Sequence, residues 1–126
     1  MEFENVNWIA VGAGTVVAFL FGWLVYSPLL FERPWAQGSG VELNKDSKPP
    51  MGAMLLQIIG LFFLATVIGI TATFDALVAA ILAILAAAAL TISNGAFCKK
   101  SNAALVIDAG YIVGAGVLMI LAQALL

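Results

Sequence analysis

Residues 51–97 read MGAMLLQIIGLFFLATVIGITATFDALVAAILAILAAAALTISNGAF, a stretch with a single charged residue, Asp75. A helix needs about 20 apolar residues to cross the hydrocarbon layer of a bilayer. The stretch therefore holds two crossings, from about residue 51 to 72 and from about 77 to 97. Transmembrane strands show short alternating segments, and nothing here alternates. A link as short as Thr71 to Asp75 makes the two helices antiparallel neighbours. Asp75 is expected to be the N-cap of the second of them, accepting bonds from N–H groups that would otherwise lack partners.

Two further blocks have the same character. One spans residues 8–31 (WIAVGAGTVVAFLFGWLVYSPLLF) and the other residues 103–126. The expectation is an all-α integral membrane protein, one domain over residues 1–126, folded as an antiparallel bundle of four transmembrane helices. Composition agrees: 63% of the 126 residues are hydrophobic and 10% charged, against roughly 25% charged in an ordinary soluble domain. A soluble domain of this size could not cover so much apolar surface. The flank before the first block, Met-Glu-Phe-Glu-Asn, is acidic where a cleaved signal peptide needs a basic region, so this block is expected to remain as a span.

Arg33, Lys45 and Lys48 fall in the first link, residues 32–50, and Lys99 and Lys100 in the third, residues 98–102; these are all five basic residues of the chain. The positive-inside rule makes that side cytoplasmic. Both termini are then outside, with Glu2, Glu4 and Asp75, and the expected location is the cell inner membrane. The 32–50 link is the only sizeable extramembrane segment. It reads as a surface loop with one helical turn, and Trp35 at the membrane interface.

The absences narrow the chemistry. With no His and one Cys, the chain lacks the commonest metal and haem ligand and the commonest acid–base group. No metal or cofactor is expected. Cys98 beside Lys99 reads as an inert loop thiol, lacking the base or partner that would make it reactive. The basic residues are too few and too scattered for a nucleic-acid footprint. No nucleophile–base pair is identifiable, so the chain is not expected to be an enzyme.

Helices in lipid associate through close backbone contact at small residues. Gly14, Ala18 and Gly22 form such a stripe on the first helix, Ala79, Ala83 and Ala87 on the third, and Gly110 and Gly114 on the fourth. These stripes serve packing inside one bundle or against another protomer or partner protein. The third helix is the better candidate for an external contact, being rich in small residues all round.

Placing polar residues by depth, at 1.5 Å of rise per residue, gives one layer in the cytoplasmic third. Tyr26 and Ser27 lie about 6–8 Å inside the first span, Gln57 about 9 Å inside the second and Asn94 about 5 Å inside the third. Asp108 lies about 8 Å inside the fourth, with Tyr111 one turn deeper. An acid at mid-bilayer costs about 2.5–3.5 kcal/mol on insertion scales, so Asp108 must point inward, pair with a donor, or carry a proton. Candidate donors are Gln57, Asn94, Tyr26 and Tyr111, or a snorkelling Lys99 or Lys100. The layer serves either as structural glue between helices or as a binding or proton site. Pro28 either marks the end of the first helix or frees carbonyls that join the layer.

The run Asn7-Trp8-Ile9-Ala10, then Gly22-Trp23-Leu24-Val25-Tyr26-Ser27-Pro28-Leu29-Leu30-Phe31 and Pro34-Trp35, resembles the bacterial membrane family called domain of unknown function 1761. Members carry W-Y-S-P-x-x-F followed by a Trp; here Leu24-Val25 separate Trp23 from Tyr26. Asp108-Ala109-Gly110-Tyr111 is similar to the N/D-A-G-Y element of that family's last span. The resemblance implies a four-span membrane protein and supplies no activity, substrate or catalytic residue.

The expected function is a non-enzymatic scaffold or accessory subunit, packing through Gly/Ala helix faces as an oligomer or on a larger complex. The alternative is a small oligomeric transporter or channel using Asp108 as a proton or ion site. The topology is testable with single cysteines in a Cys98→Ser background. An impermeant maleimide on intact cells should label Phe3→Cys and spare Lys45→Cys; the reverse pattern overturns the orientation.

Overall fold

Residues 3–41 and 51–126 are described by the computed structural model, and the only regular secondary structure among them is helical. Lys45 and Lys48 lie outside the described residues, as does most of the link that carries them. The described residues form five helices: α1 (Trp8–Val25), α2 (Glu32–Ser39), α3 (Met51–Thr73), α4 (Leu77–Phe97) and α5 (Asn102–Leu125). All but α2 are long and apolar enough to cross a membrane.

The ends of the helices follow from local chemistry. Asn7 caps α1 by accepting from the Ala10 N–H at 3.1 Å, and Ser101 caps α5 by accepting from Ala104 at the same distance. Helix α1 stops at Val25, short of the expected residue 31. Proline disfavours a helical residue before it, and residues 26–31 form a turn around Pro28. Two of the carbonyls freed there are used within that turn. Val25 O accepts from the Phe31 N–H, and Leu24 O from the backbone and hydroxyl of Ser27. Pro28 thus ends the helix and adds no carbonyl to the polar layer.

Both tight links use the same device. After α3, the Asp75 N–H reaches Ala72 O and the Ala76 N–H reaches Thr71 O; after α4, Lys99 reaches Ala96 O and Lys100 reaches Gly95 O. This is the Schellman arrangement, which satisfies the last carbonyls of a helix and requires a left-handed residue. Asp75 (φ 53°) and Lys99 (φ 61°) fill that position. Asp75 therefore closes α3 and does not cap α4, whose N-cap is Ala76, without a side-chain bond.

The link expected to be a surface loop with one helical turn forms the eight-residue helix α2 over Glu32–Ser39. Pro34 falls in the first turn of α2, where a missing N–H costs nothing, and Gly40 (φ 72°) ends the helix in the left-handed region. This helix folds back onto the start of α5. The Ser101 N–H donates to Gly38 O at 3.0 Å, Ala36 is buried, and a side chain at Gly38 would collide with Ser101 and Ala104.

The most extensive contact is between α1 and α5. Gly14 and Gly22 admit Met119 and Tyr111, with Ala18 buried between them. Next come α4 on α5 and α3 on α1. On α4 the buried stripe is Ala80, Ile84 and Ala88, one residue on from the expected Ala79, Ala83 and Ala87; of those, Ala79 is exposed and the other two half-buried. The sequence is small on every side there, so composition could not select the face. Packing selects it, because Ile84 fits against Gly116 as a knob against a hole. On α5, Gly114 packs against the Phe21 ring, whereas Gly110 is exposed with nothing near it. Helix α3 buries only Leu61, Ala65, Ile68 and Gly69, none of them before residue 61; residues 51–60 are exposed apart from the half-buried Met54.

Candidate functional site

Asp108 sits two turns into α5 and is buried. Its Oδ1 accepts from the Tyr26 hydroxyl at 2.6 Å and from the Trp35 indole N–H at 2.9 Å. Its Oδ2 accepts from Lys100 Nζ at 3.0 Å. These donors come from the C-cap of α1, from α2 and from the α4–α5 link. Each is placed by a feature of the local backbone. The turn at Pro28 ends α1 at Tyr26, α2 carries Trp35 back toward α5, and the left-handed Lys99 turns Lys100 toward the bundle.

The rings close around the carboxylate. Tyr26 stands edge-on to Trp35, with centroids 5.2 Å apart, and edge-on to Tyr111 at 5.6 Å. Lys100 Nζ also lies 5.7 Å from the centroid of the Trp35 ring, within reach of a cation–π attraction. One turn deeper, the Tyr111 hydroxyl accepts from Gln57 Nε2 at 2.9 Å and donates to Ala18 O at 3.3 Å. The Tyr111 ring fits against α1 because Gly22 has no Cβ, which would lie 2.9 Å from a ring carbon. Two short networks result, one centred on Asp108 and one on Tyr111, in contact through the Tyr26 and Tyr111 rings.

Of the six polar residues expected in one layer, Tyr26, Asp108, Tyr111 and Gln57 come together. Gln57 binds Tyr111 and not the acid. Asn94 is exposed, with no bond from its side chain among the described residues, so α4 gives Asp108 no donor. The reason is rotation: the buried face of α4 runs through Ala88 and Gly95. Ser27 donates to Leu24 O at 2.7 Å and stays within its own turn. Lys99 is exposed, and its neighbour Lys100 is the lysine that pairs. Trp35 is the residue that depth counting missed, because it lies outside all four spans and reaches Asp108 only through the fold-back of α2. Its place in the run that ends at Pro34-Trp35 was the available signal.

Beside these networks lies an open crevice of about 570 Å³, bounded by α1, Trp35, the first half of α3, Thr91, Lys100 and α5. It occupies the space left where residues 51–60 of α3 make little contact with the other helices. Asp108, Tyr111 and Gln57 all reach its wall.

The fold and site define a small helical protein with four segments suited to a membrane and one buried acid tied to three donors. The profile of the family described as a protein of unknown function, DUF1761, matches residues 9–123, and the chain belongs to that family. Neither a curated protein nor a solved structure matches it.

Removing the acid should show how much it holds. Asp108→Leu strands the Tyr26, Trp35 and Lys100 donors and should destabilise the purified protein in detergent by about 2 kcal/mol or more. Asp108→Asn keeps an acceptor and should cost about half as much. Equal unfolding temperatures for the two variants would contradict the arrangement.

Proposed function

We propose that this chain is a multi-pass inner-membrane protein, an antiparallel four-span bundle with both termini outside, that acts as a non-enzymatic scaffold or accessory subunit. One observation carries the reading. Tyr26, Trp35 and Lys100 are engaged with Asp108 and Gln57 with Tyr111, and the only acid within a span takes its three donors from three separate parts of the chain. Chemistry spent this way holds helices together and leaves no group poised to react. Arg33, Lys99 and Lys100 support the orientation, since they border the same end of the helices as the Asp108 network.

The surface for assembly is the outer side of α4. That helix packs mainly on α5 through one narrow stripe and leaves Ala79, Ala86 and Ala89 exposed. Small residues on an uncovered transmembrane face allow close approach of another helix. The occupant in this reading is a second copy or a larger membrane complex.

A second reading, a small oligomeric transporter using Asp108 as a proton or ion site, draws its support from the crevice that reaches the acid. Liposomes holding the purified chain and a pH-sensitive dye separate the two. The scaffold reading expects proton and cation flux at the level of empty liposomes. Flux that appears with the native protein and vanishes with Asp108→Asn would transfer the assignment to a proton-linked transporter.

A further inference from the structure

The crevice between α3 and the Asp108 network has the size and the wall of a ligand site. Small-molecule sites occupy roughly 300–1,000 Å³ and are mostly apolar, with a few converging polar groups. At about 570 Å³ the crevice falls within that range. Three properties of its wall define the occupant.

The first is aromatic surface. Trp23, Tyr26, Trp35 and Tyr111 all line the space, and rings of this kind favour a flat ligand held by stacking or edge contacts. The second is charge. Lys100 and Asp108 both reach the wall and are paired at 3.0 Å, so their charges cancel. An anion entering here meets Asp108 and a cation meets Lys100. In a space of low dielectric such encounters are costly, which leaves an uncharged ligand.

The third is the direction of hydrogen bonding. The hydroxyl protons on the wall are already committed: Tyr26 donates to Asp108, Tyr111 to Ala18 O and Thr91 to Ala87 O. The Trp35 N–H is committed to Asp108 as well. Lys100, however, has three N–H donors and gives one to Asp108, and the Gln57 amide has two and gives one to Tyr111. The hydrogens left to serve a ligand are therefore N–H groups on Lys100, Gln57 and the Trp23 indole, and their partner is an acceptor. Ala53, Met54 and Ile112 complete the wall with apolar surface suited to a tail.

We infer that the crevice binds an uncharged amphiphile whose flat ring bears carbonyl oxygens and whose tail is apolar, the chemistry of a prenylated quinone. The ring lies among the aromatic side chains, its oxygens accept from Lys100 and Gln57, and its tail follows the sparsely packed first half of α3. The inference goes beyond the scaffold reading and does not depend on it: a scaffold and a transporter could each hold such a ligand.

The test uses the full chain in maltoside micelles, with decylubiquinone as the probe and tryptophan fluorescence as the readout. Trp23 and Trp35 line the crevice, so a bound quinone should quench them saturably. Ala53→Phe fills the space from an exposed position on α3 that takes no part in the Asp108 network. It should weaken the apparent affinity about tenfold or more while the unfolding temperature stays unchanged. Gln57→Leu, which removes a donor, should weaken it as well. Oleate and dodecyltrimethylammonium, anionic and cationic amphiphiles, should fail to displace the quinone. The inference is overturned by quenching that rises without saturation, by equal affinity in the native and Ala53→Phe proteins, or by displacement with either charged amphiphile. None of these outcomes bears on the flux measurement that tests the scaffold reading.

Discussion

An acid placed inside an apolar helix has to be answered by donors, and the arrangement around Asp108 organises one whole end of this protein. Carrying a charge to the middle of a bilayer costs about 2.5–3.5 kcal/mol on insertion scales, and less toward the interface. A hydrogen bond to a charged group returns about 1.5–3 kcal/mol, so two or three good donors offset the cost. Asp108 has three. Supplying them from separate parts of the chain demands several backbone features together: the end of α1 at Tyr26, the fold-back of α2 that delivers Trp35, and the left-handed turn at Lys99 that directs Lys100. The absence of a Cβ at Gly22 lets Tyr111 pack beside them.

The same arrangement explains why α2 is a helix against the bundle and not a loose segment. Its eight residues are too few to be stable alone in water. The Trp35 bond, the buried Ala36 and the Ser101–Gly38 backbone bond give it tertiary support. The end of the molecule that carries Arg33, Lys99 and Lys100 is therefore held by polar contacts, while the other end is held by apolar packing around Val11, Ile68 and Met119. Between them, the first half of α3 is left with little to pack on, and the crevice is the consequence.

Much of this was legible in the amino-acid sequence. Long apolar blocks fix the number of candidate spans, because length and hydropathy are set by the thickness of the bilayer. Depth counting brought Tyr26, Gln57, Asp108 and Tyr111 together because rise per residue is constant. It failed wherever rotation mattered. Asn94 has a suitable depth but the wrong face of α4, and a helix rich in alanine on every side carries no pattern to reveal that rotation. Trp35 was invisible for a different reason: its contact depends on a reversal of chain direction outside the spans, which hydropathy does not encode. Asp75 suits both a cap and a left-handed turn, and the bonds from Ala76 to Thr71 and Asp75 to Ala72 decide between them.

The central claim is that Asp108 draws the end of α1 onto α5 through the Tyr26 hydroxyl. A double-mutant cycle with Tyr26→Phe and Asp108→Leu measures that link most directly, since the first substitution removes only the hydroxyl. Unfolding free energies in detergent should show a coupling of about 1.5 kcal/mol or more between the two sites, the size expected for a hydrogen bond to a charged group. Effects that add to within about 0.3 kcal/mol, the behaviour of independent sites, would contradict the account.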